Sequence, residues 1–207
     1  MLRVGLTGSI AVGKTFVAGV FVELGCHVLD ADNTAREVVA PNSDGLRSVV
    51  KQFGAEVLQP DGSLDRARLG SVVFADAEKR QALNSILHPY IIARQDERMR
   101  EWEAADPDGI AIVDAALMIE SGGSRRFDRL IVVYCDPEVQ TARLMARNNL
   151  TRAQAEQRIA AQMSQDDKKK FADYLIDTSQ GFDAARARAQ EVYLELQKVK
   201  TRQLRSK

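Results

Sequence analysis

The chain has 207 residues, long enough for one sizeable core, and is read as one domain, with or without insertions. Lys and Arg total 29 and Asp and Glu total 29, so net charge gives no argument for a nucleic-acid or membrane partner. No apolar run approaches membrane-spanning length and the N-terminus reads as a strand rather than a signal peptide, so a soluble cytoplasmic protein is expected.

Leu2–Thr7 is short and apolar, as a buried strand should be. It runs into Gly8-Ser9-Ile10-Ala11-Val12-Gly13-Lys14-Thr15, a G-x-x-x-x-G-K-[ST] phosphate-binding loop. Each residue type in that pattern has a physical reason. Gly8 and Gly13 let the backbone turn and approach phosphates with no Cβ in the way. Successive N–H groups then face phosphate oxygens, helped by the N-terminus of the helix that follows. Lys14 reaches the β- and γ-phosphates, and the Thr15 hydroxyl is placed to ligate Mg²⁺. The expected nucleotide contacts are Gly8, Ala11, Val12, Gly13, Lys14, Thr15 and Phe16. Val17, Val20, Phe21 and Leu24 keep helical period, and Gly25 stands where a helix-ending glycine belongs.

Cys26–Leu29 reads as a second strand, closed by Asp30-Ala31-Asp32. On an extended chain those two carboxylates point the same way, at the strand end where an open α/β sheet binds ligands. They can orient or deprotonate an acceptor hydroxyl or reach Mg²⁺ through water. Asp32 can also simply cap a helix from Asn33 to Val39, but its place beside the phosphate loop favours a functional role. Residues 34–108 read as a helical insertion with turns at Pro41-Asn42, Pro60-Asp61-Gly62 and His88-Pro89, and with a returning helix from Pro89 to Trp102.

Further strands are expected at Gly109–Asp114, Leu130–Cys135 and Tyr174–Ile176. Strand and helix alternate, which implies a five-stranded parallel sheet flanked by helices. Asp136-Pro137-Glu138 supplies a cap, a first-turn proline and an acid for a helix carrying Arg143 and Arg147 on one face, which Asn148-Asn149 ends. Thr151-x-x-Gln154 is a capping box for another helix, carrying Arg158. The pair has the look of a lid. Lys168-Lys169-Lys170 reads as a solvated run, and Lys198, Lys200, Arg202, Arg205 and Lys207 as a solvated basic end. Cys26 and Cys135 lie in apolar runs and are expected to be buried free thiols. With two histidines and no Cys/His cluster, no zinc site is expected.

The ordered set of motifs resembles the dephospho-CoA kinase family over nearly the whole chain. It comprises Val4–Gly8 with Gly13-Lys14-Thr15, Asp30-Ala31-Asp32 with Ala35-Arg36, and Gly62–Arg66 with Val73-Phe74. It continues with His88-Pro89, Leu117–Glu120, Cys135-Asp136-Pro137 with Gln140, and Arg143–Arg147. It ends with Arg158-Ile159, Gln162-Met163 and Ala172–Asp177. The resemblance implies transfer of the ATP γ-phosphoryl group, with Mg²⁺, to the ribose 3′-hydroxyl of dephospho-CoA. It implies a P-loop kinase body with a nucleotide core (1–33, 109–136 and 171–207), an acceptor-binding insertion (34–108) and a lid (137–170). Carried over residue by residue, Asp32 is the base or orienter, and Lys14 and Arg143 act on the transferring phosphate with Arg147 a second candidate. Leu64, Asp65, Arg66, His88 and Glu120 fall on the acceptor side. A monomer or weak homo-oligomer is expected. The chain departs from the family pattern at Ala11-Val12, Ala116, Met118-Ile119, Thr178 and Gln180. Another small-molecule P-loop kinase would share the phosphate chemistry. A GTPase-like switch would need N-K-x-D, which is missing, and the formal D-x-x-G at Asp106–Gly109 stands before a strand.

Overall fold

The computed structural model describes residues 1–74 and 76–204, with side chains to Thr201; Arg205 and Lys207 of the basic end lie outside the described residues. Five strands, β1 (Leu2–Thr7), β2 (His27–Asp30), β3 (Ile110–Asp114), β4 (Arg129–Tyr134) and β5 (Tyr174–Asp177), form one sheet. Their order is β2-β3-β1-β4-β5. The pairings of β1 with β3 and β4, and of β4 with β5, are parallel. Each strand lies within one residue of its expected bounds, because an apolar run between turn residues is a local signal that survives folding.

The chain divides into two compact units, Met1–Leu29 with residues 102 onward, and Asp30–Glu101. In the first, α1 (Lys14–Glu23) and α9 (Phe182–Leu204) cover one face of the sheet. Val17, Val20 and Phe21 of α1, and Ala185, Ala189, Val192 and Leu196 of α9, join Val4, Leu6, Ile112, Ile131 and Ile176 in one core. Gly5 faces the other side, where an added Cβ would lie 2.5 Å from Met118 Sδ, so only glycine lets that thioether reach the strand. Helices α6 (Pro137–Asn148), α7 (Arg152–Ala160) and α8 (Gln165–Lys169) follow β4. Asp136 caps α6 and the Thr151/Gln154 capping box starts α7, as the sequence predicts. Lys198 and Lys200 lie within α9, one continuous helix, and not on a loose end.

The second unit is helical: α2 (Ala31–Glu37), α3 (Asp44–Phe53), α4 (Arg66–Phe74) and most of α5 (Ala77–Ala105). Its own core joins Val39, Leu46, Val49, Val57, Leu64 and Leu69, with Leu83, Ile86 and Leu87 packed against them. Between α3 and α4, Gln59 N–H bonds Ser63 O at 2.8 Å across the turn at Pro60-Asp61-Gly62.

The expected turn at His88-Pro89 is not one. Pro89 lies inside α5, which runs unbroken for 29 residues. An interior proline costs about 3 kcal/mol of helix stability. Leu83, Ile86 and Leu87 pack on the core just before it, and Tyr90 just after it meets Ser48 through their hydroxyls at 2.9 Å. Tertiary packing thus outweighs the local break signal.

Cys26 and Cys135 are both buried and unpaired with each other. Burial pushes the Cys26 thiol up to about 12 and raises Cys135 as well. Since the thiolate is the reacting species, a thiol reagent at about pH 8 should label neither residue in the folded protein and both after denaturation. Rapid native labelling of either would contradict this packing.

Candidate active site

Residues 8–13 join β1 to α1. Gly13 is left-handed at φ 86° and so is Ala11 at φ 61°, a non-glycine conformation costing about 1–2 kcal/mol. Alternating such residues turns successive N–H groups to one side, the geometry of an anion nest. At Gly8 the loop presses on β4: a Cβ there would lie 2.4 Å from Val133 O. Val12 is fully buried and anchors the loop in the core.

Side chains from distant segments secure the loop. The Ile10 amide donates to Gln162 Oε1 at 2.8 Å, and Gln140 Nε2 donates to Ile10 O at 2.7 Å. Thr178 Oγ1 donates to Val12 O at 2.7 Å, and Ser9 Oγ donates to Met163 O at 3.4 Å. Gln140 is held in turn by Gln165 Nε2 at 2.8 Å. Ile10 spends its amide on Gln162, and Phe16 and Val17 spend theirs on Gly13 O at 3.1 and 3.3 Å, so the amides left to face an anion are those of Ala11 to Thr15. None of these loop contacts was assigned from sequence, although Gln140 and Gln162 stand among the motif residues.

Lys14 Nζ donates to Asp114 Oδ1, with side-chain exposures of 17% and 8%. Asp114 was not assigned a role from sequence. The signal is the apolar run Ile110–Val113 ending in a carboxylate, on the strand beside β1, at the sheet edge that binds ligands. Thr15 stands exposed in the first turn of α1. The Thr15 hydroxyl and the Asp114 carboxylate are hard oxygen donors, the chemistry that suits Mg²⁺, which takes few protein oxygens and completes its shell with phosphate and water.

Arg143 lies beside the loop: a Cβ on Gly13 would come within 3.6 Å of its Nη1. Its Nη1 donates to Thr178 Oγ1 and its Nη2 to Thr178 O, both at 2.8 Å. The guanidinium lies 5.5 Å over the Phe182 ring, which stacks on Phe16 at 4.4 Å. Arg147 does not join this cluster; it is exposed, with Nε bonded to Asn148 Oδ1 at 2.9 Å.

The expected solvated run at Lys168–Lys170 divides. Lys168 is fully buried. Its Nζ donates to Ala116 O at 2.7 Å and to Glu120, whose Oε1 also accepts from Met163 N–H at 3.3 Å. The single turn of α8, capped by Ser164, directs Lys168 inward. Lys169 lies 4.2 Å over the Tyr134 ring, and Lys170 pairs with Asp167 at 2.7 Å. Glu120, itself exposed, is therefore the outer end of an ion pair whose lysine is buried.

In the helical unit, the chain is extended only as far as Asp30, whose carboxylate caps α2 by accepting from the amides of Asp32 (2.7 Å) and Asn33 (3.2 Å). Asp32 is thus helical, and the two carboxylates do not share the alternation of an extended strand: one is spent on the cap. Asp32 is exposed, with no side-chain hydrogen bond among the described residues. Leu64, Asp65 and Arg66 line a pocket of about 520 Å³ together with Arg36, Val39 and Pro41. His88 is exposed on α5 and does not line it.

The family model for dephospho-CoA kinase matches residues 2–183. A dephospho-CoA kinase of Streptomyces avermitilis is 43% identical over 95% of this chain and 94% of its own. That of Geobacter sulfurreducens is 42% identical over 92% and 96%. Among solved structures, TT1252 from Thermus thermophilus superposes with a TM-score of 0.81 at 28% identity, covering 94% of this chain and 96% of that one. Dephospho-CoA kinase from Campylobacter jejuni gives 0.63 at 26%, covering 93% and 96%.

Thr178→Val deletes the hydroxyl that serves both Val12 O and Arg143 in a fully buried place. The variant should lose about 1–3 kcal/mol of unfolding free energy in a denaturant titration, and Thr178→Ser should recover most of it. An unchanged midpoint for the valine variant would contradict the clamp.

Proposed function

The chain belongs to the dephospho-CoA kinase family, and from that premise we propose that it transfers the γ-phosphoryl group of ATP to the ribose 3′-hydroxyl of dephospho-CoA, giving coenzyme A and ADP. The observation that carries this reading is the phosphate loop at the carboxyl end of β1, clamped by Gln140, Gln162 and Thr178, with Lys14 against Asp114.

Phosphoryl transfer demands positioning and charge neutralisation more than covalent help. The amides of Ala11 to Thr15 hold the β- and γ-phosphates, and Lys14 adds a point charge between them. Thr15 and Asp114 are the residues that would hold Mg²⁺, which would supply charge neutralisation at the phosphates when bound. Asp32 receives the acceptor hydroxyl. Its freedom from internal hydrogen bonds supports that role, since a carboxylate already spent on a helix cap has less to offer a proton. As the new O–P bond forms in line with the breaking bond to ADP, the hydroxyl proton passes to an Asp32 oxygen and the bridging electrons leave with ADP. Arg143, beside Gly13, stabilises the charge on the group in transit. The stacked Phe16 and Phe182 rings are the apolar surface nearest the loop for the adenine.

Leu64, Asp65, Arg66 and His88 serve the acceptor, with Glu120 acting through its ion pair to Lys168. The covering segment is narrower than residues 137–170, because Gln140, Gln162 and Lys168 bind its two roots into the sheet unit. The end of α6 and the exposed helix α7, with Arg147 and Arg158, form the lid that excludes water. A cytoplasmic setting is supported by two buried unpaired cysteines and by the finding that, among the described residues, no helix is long and apolar enough to cross a membrane.

The function is tested by coupled ADP release with dephospho-CoA, nucleosides and gluconate as acceptors. A response to dephospho-CoA alone is expected; a better nucleoside or gluconate would overturn the assignment. Lys14→Ala should lower turnover by a factor on the order of 10³ with its far-ultraviolet spectrum preserved. Retained turnover in that variant would refute the loop's role. Asp32→Asn should lower kcat by about 10²–10⁴ with the KM for ATP unchanged. An equal loss of ATP affinity would place Asp32 with the metal instead.

A further inference from the structure

Lys168 lies wholly out of solvent in the sheet unit, and its Nζ serves two acceptors. One is Glu120, at the outer end of the pair. The other is the backbone carbonyl of Ala116, at 2.7 Å. A methionine of similar volume would fill the same space without the cost of burying an amine, and such exchanges are often neutral or stabilising. Stability is therefore a weak reason for a lysine at this place.

The carbonyl it holds offers a better one. β3 ends at Asp114, whose register partner on β1 is Leu6, and the Ala115 amide adds one more bond, to Leu6 O at 3.0 Å. The chain then leaves the sheet in turns over 116–122. Ala116 O is the next fastening, and it accepts from Thr7 Oγ1 at 3.2 Å as well as from Lys168. Thr7 is fully buried and directly precedes Gly8 of the phosphate loop. One carbonyl thus joins the end of β1, the end of β3 and α8, two residues past the Asp114 carboxylate. A carbonyl oxygen has two lone pairs, and these two donors fill them.

We propose that Lys168 is a positioning residue for Asp114. By holding Ala116 O it fixes the carboxyl end of β3, and so keeps the Asp114 carboxylate where it meets Lys14 and would meet Mg²⁺. The proposal rests on the reading of Asp114 as a residue that holds the metal. Mg²⁺ demands near-ideal geometry from the few protein oxygens it takes, so a small displacement of one carboxylate is felt. Groups that orient such carboxylates typically govern about ten- to hundredfold in metal affinity or activity. Lys168 has a second route to the loop: Glu120 accepts from the Met163 amide, and Met163 O accepts from Ser9 Oγ at 3.4 Å. The two routes differ in what their loss would do. A slackened loop weakens triphosphate binding with or without metal, whereas a displaced Asp114 weakens only the part that the metal adds.

The test is calorimetric titration of ATP into the full chain, once with Mg²⁺ and once with the metal chelated. The ratio of the two affinities is the gain that Mg²⁺ brings. Asp114→Asn sets the scale and should remove most of that gain. Lys168→Met should shrink it about tenfold, with the metal-free Kd within about threefold of wild type. Thr7→Val, which loosens the same carbonyl and keeps the lysine, should shrink it about three- to tenfold. In steady state, Lys168→Met should lower kcat about ten- to hundredfold with the KM for dephospho-CoA unchanged. A wild-type gain in both Lys168→Met and Thr7→Val, or an equal loss of affinity without the metal, would overturn the positioning role. If Lys168→Met fails to fold, Thr7→Val decides alone. A wild-type gain in Asp114→Asn would instead overturn the metal-holding reading on which the role rests.

Discussion

Ile10 gives its amide to Gln162 and takes a hydrogen bond at its carbonyl from Gln140, while Thr178 donates to the carbonyl of Val12. A loop with Ala11 and Gly13 at positive φ has no ladder of its own to hold it. Its shape is imposed by side chains from α6, from the segment between α7 and α8, and from the turn after β5. That constraint organises the rest of the site. Because Thr178 also receives Arg143, the arginine beside the loop and the loop itself share one anchor. Because Gln162 adjoins Met163, whose amide reaches Glu120, the pair of Glu120 with the buried Lys168 belongs to the same scaffold. Preorganisation of this kind lets fixed dipoles meet developing charge without rearranging at the moment of reaction.

The two units divide the work. The sheet unit carries groups that any γ-phosphate chemistry requires: loop amides, Lys14, Thr15 and Asp114. The helical unit has its separate core around Val49 and Leu64 and, in the proposed mechanism, supplies the groups for the acceptor. Asp32 opens that unit in α2, directly after β2.

Much of this was legible before folding, for identifiable reasons. The five strands, the phosphate loop, the Asp136 cap and the Thr151/Gln154 box are local patterns, and each stands within a residue or so of its predicted place. What escaped depends on distance in the chain. Lys168 looks like one of three solvated lysines until α8 turns it toward Ala116 and Glu120, 52 and 48 residues away. Thr178 gains its meaning only from Val12, 166 residues earlier. Pro89 reads as a break because its local cost is visible in sequence and the packing on either side of it is not. Asp30 and Asp32 look equivalent on an extended strand, and diverge once the first becomes the cap of α2. Asp114 was within reach, since an apolar strand ending in a carboxylate beside the loop strand is a recognisable pattern.

A crystal structure of the chain with a non-hydrolysable ATP analogue and Mg²⁺ tests the central claim most directly. The account requires the terminal phosphate in the cradle of amides from Ala11 to Thr15, touching Lys14, with Ile10 still bonded to Gln140 and Gln162. A triphosphate bound elsewhere, or a loop that releases both glutamines to accept it, would contradict the account.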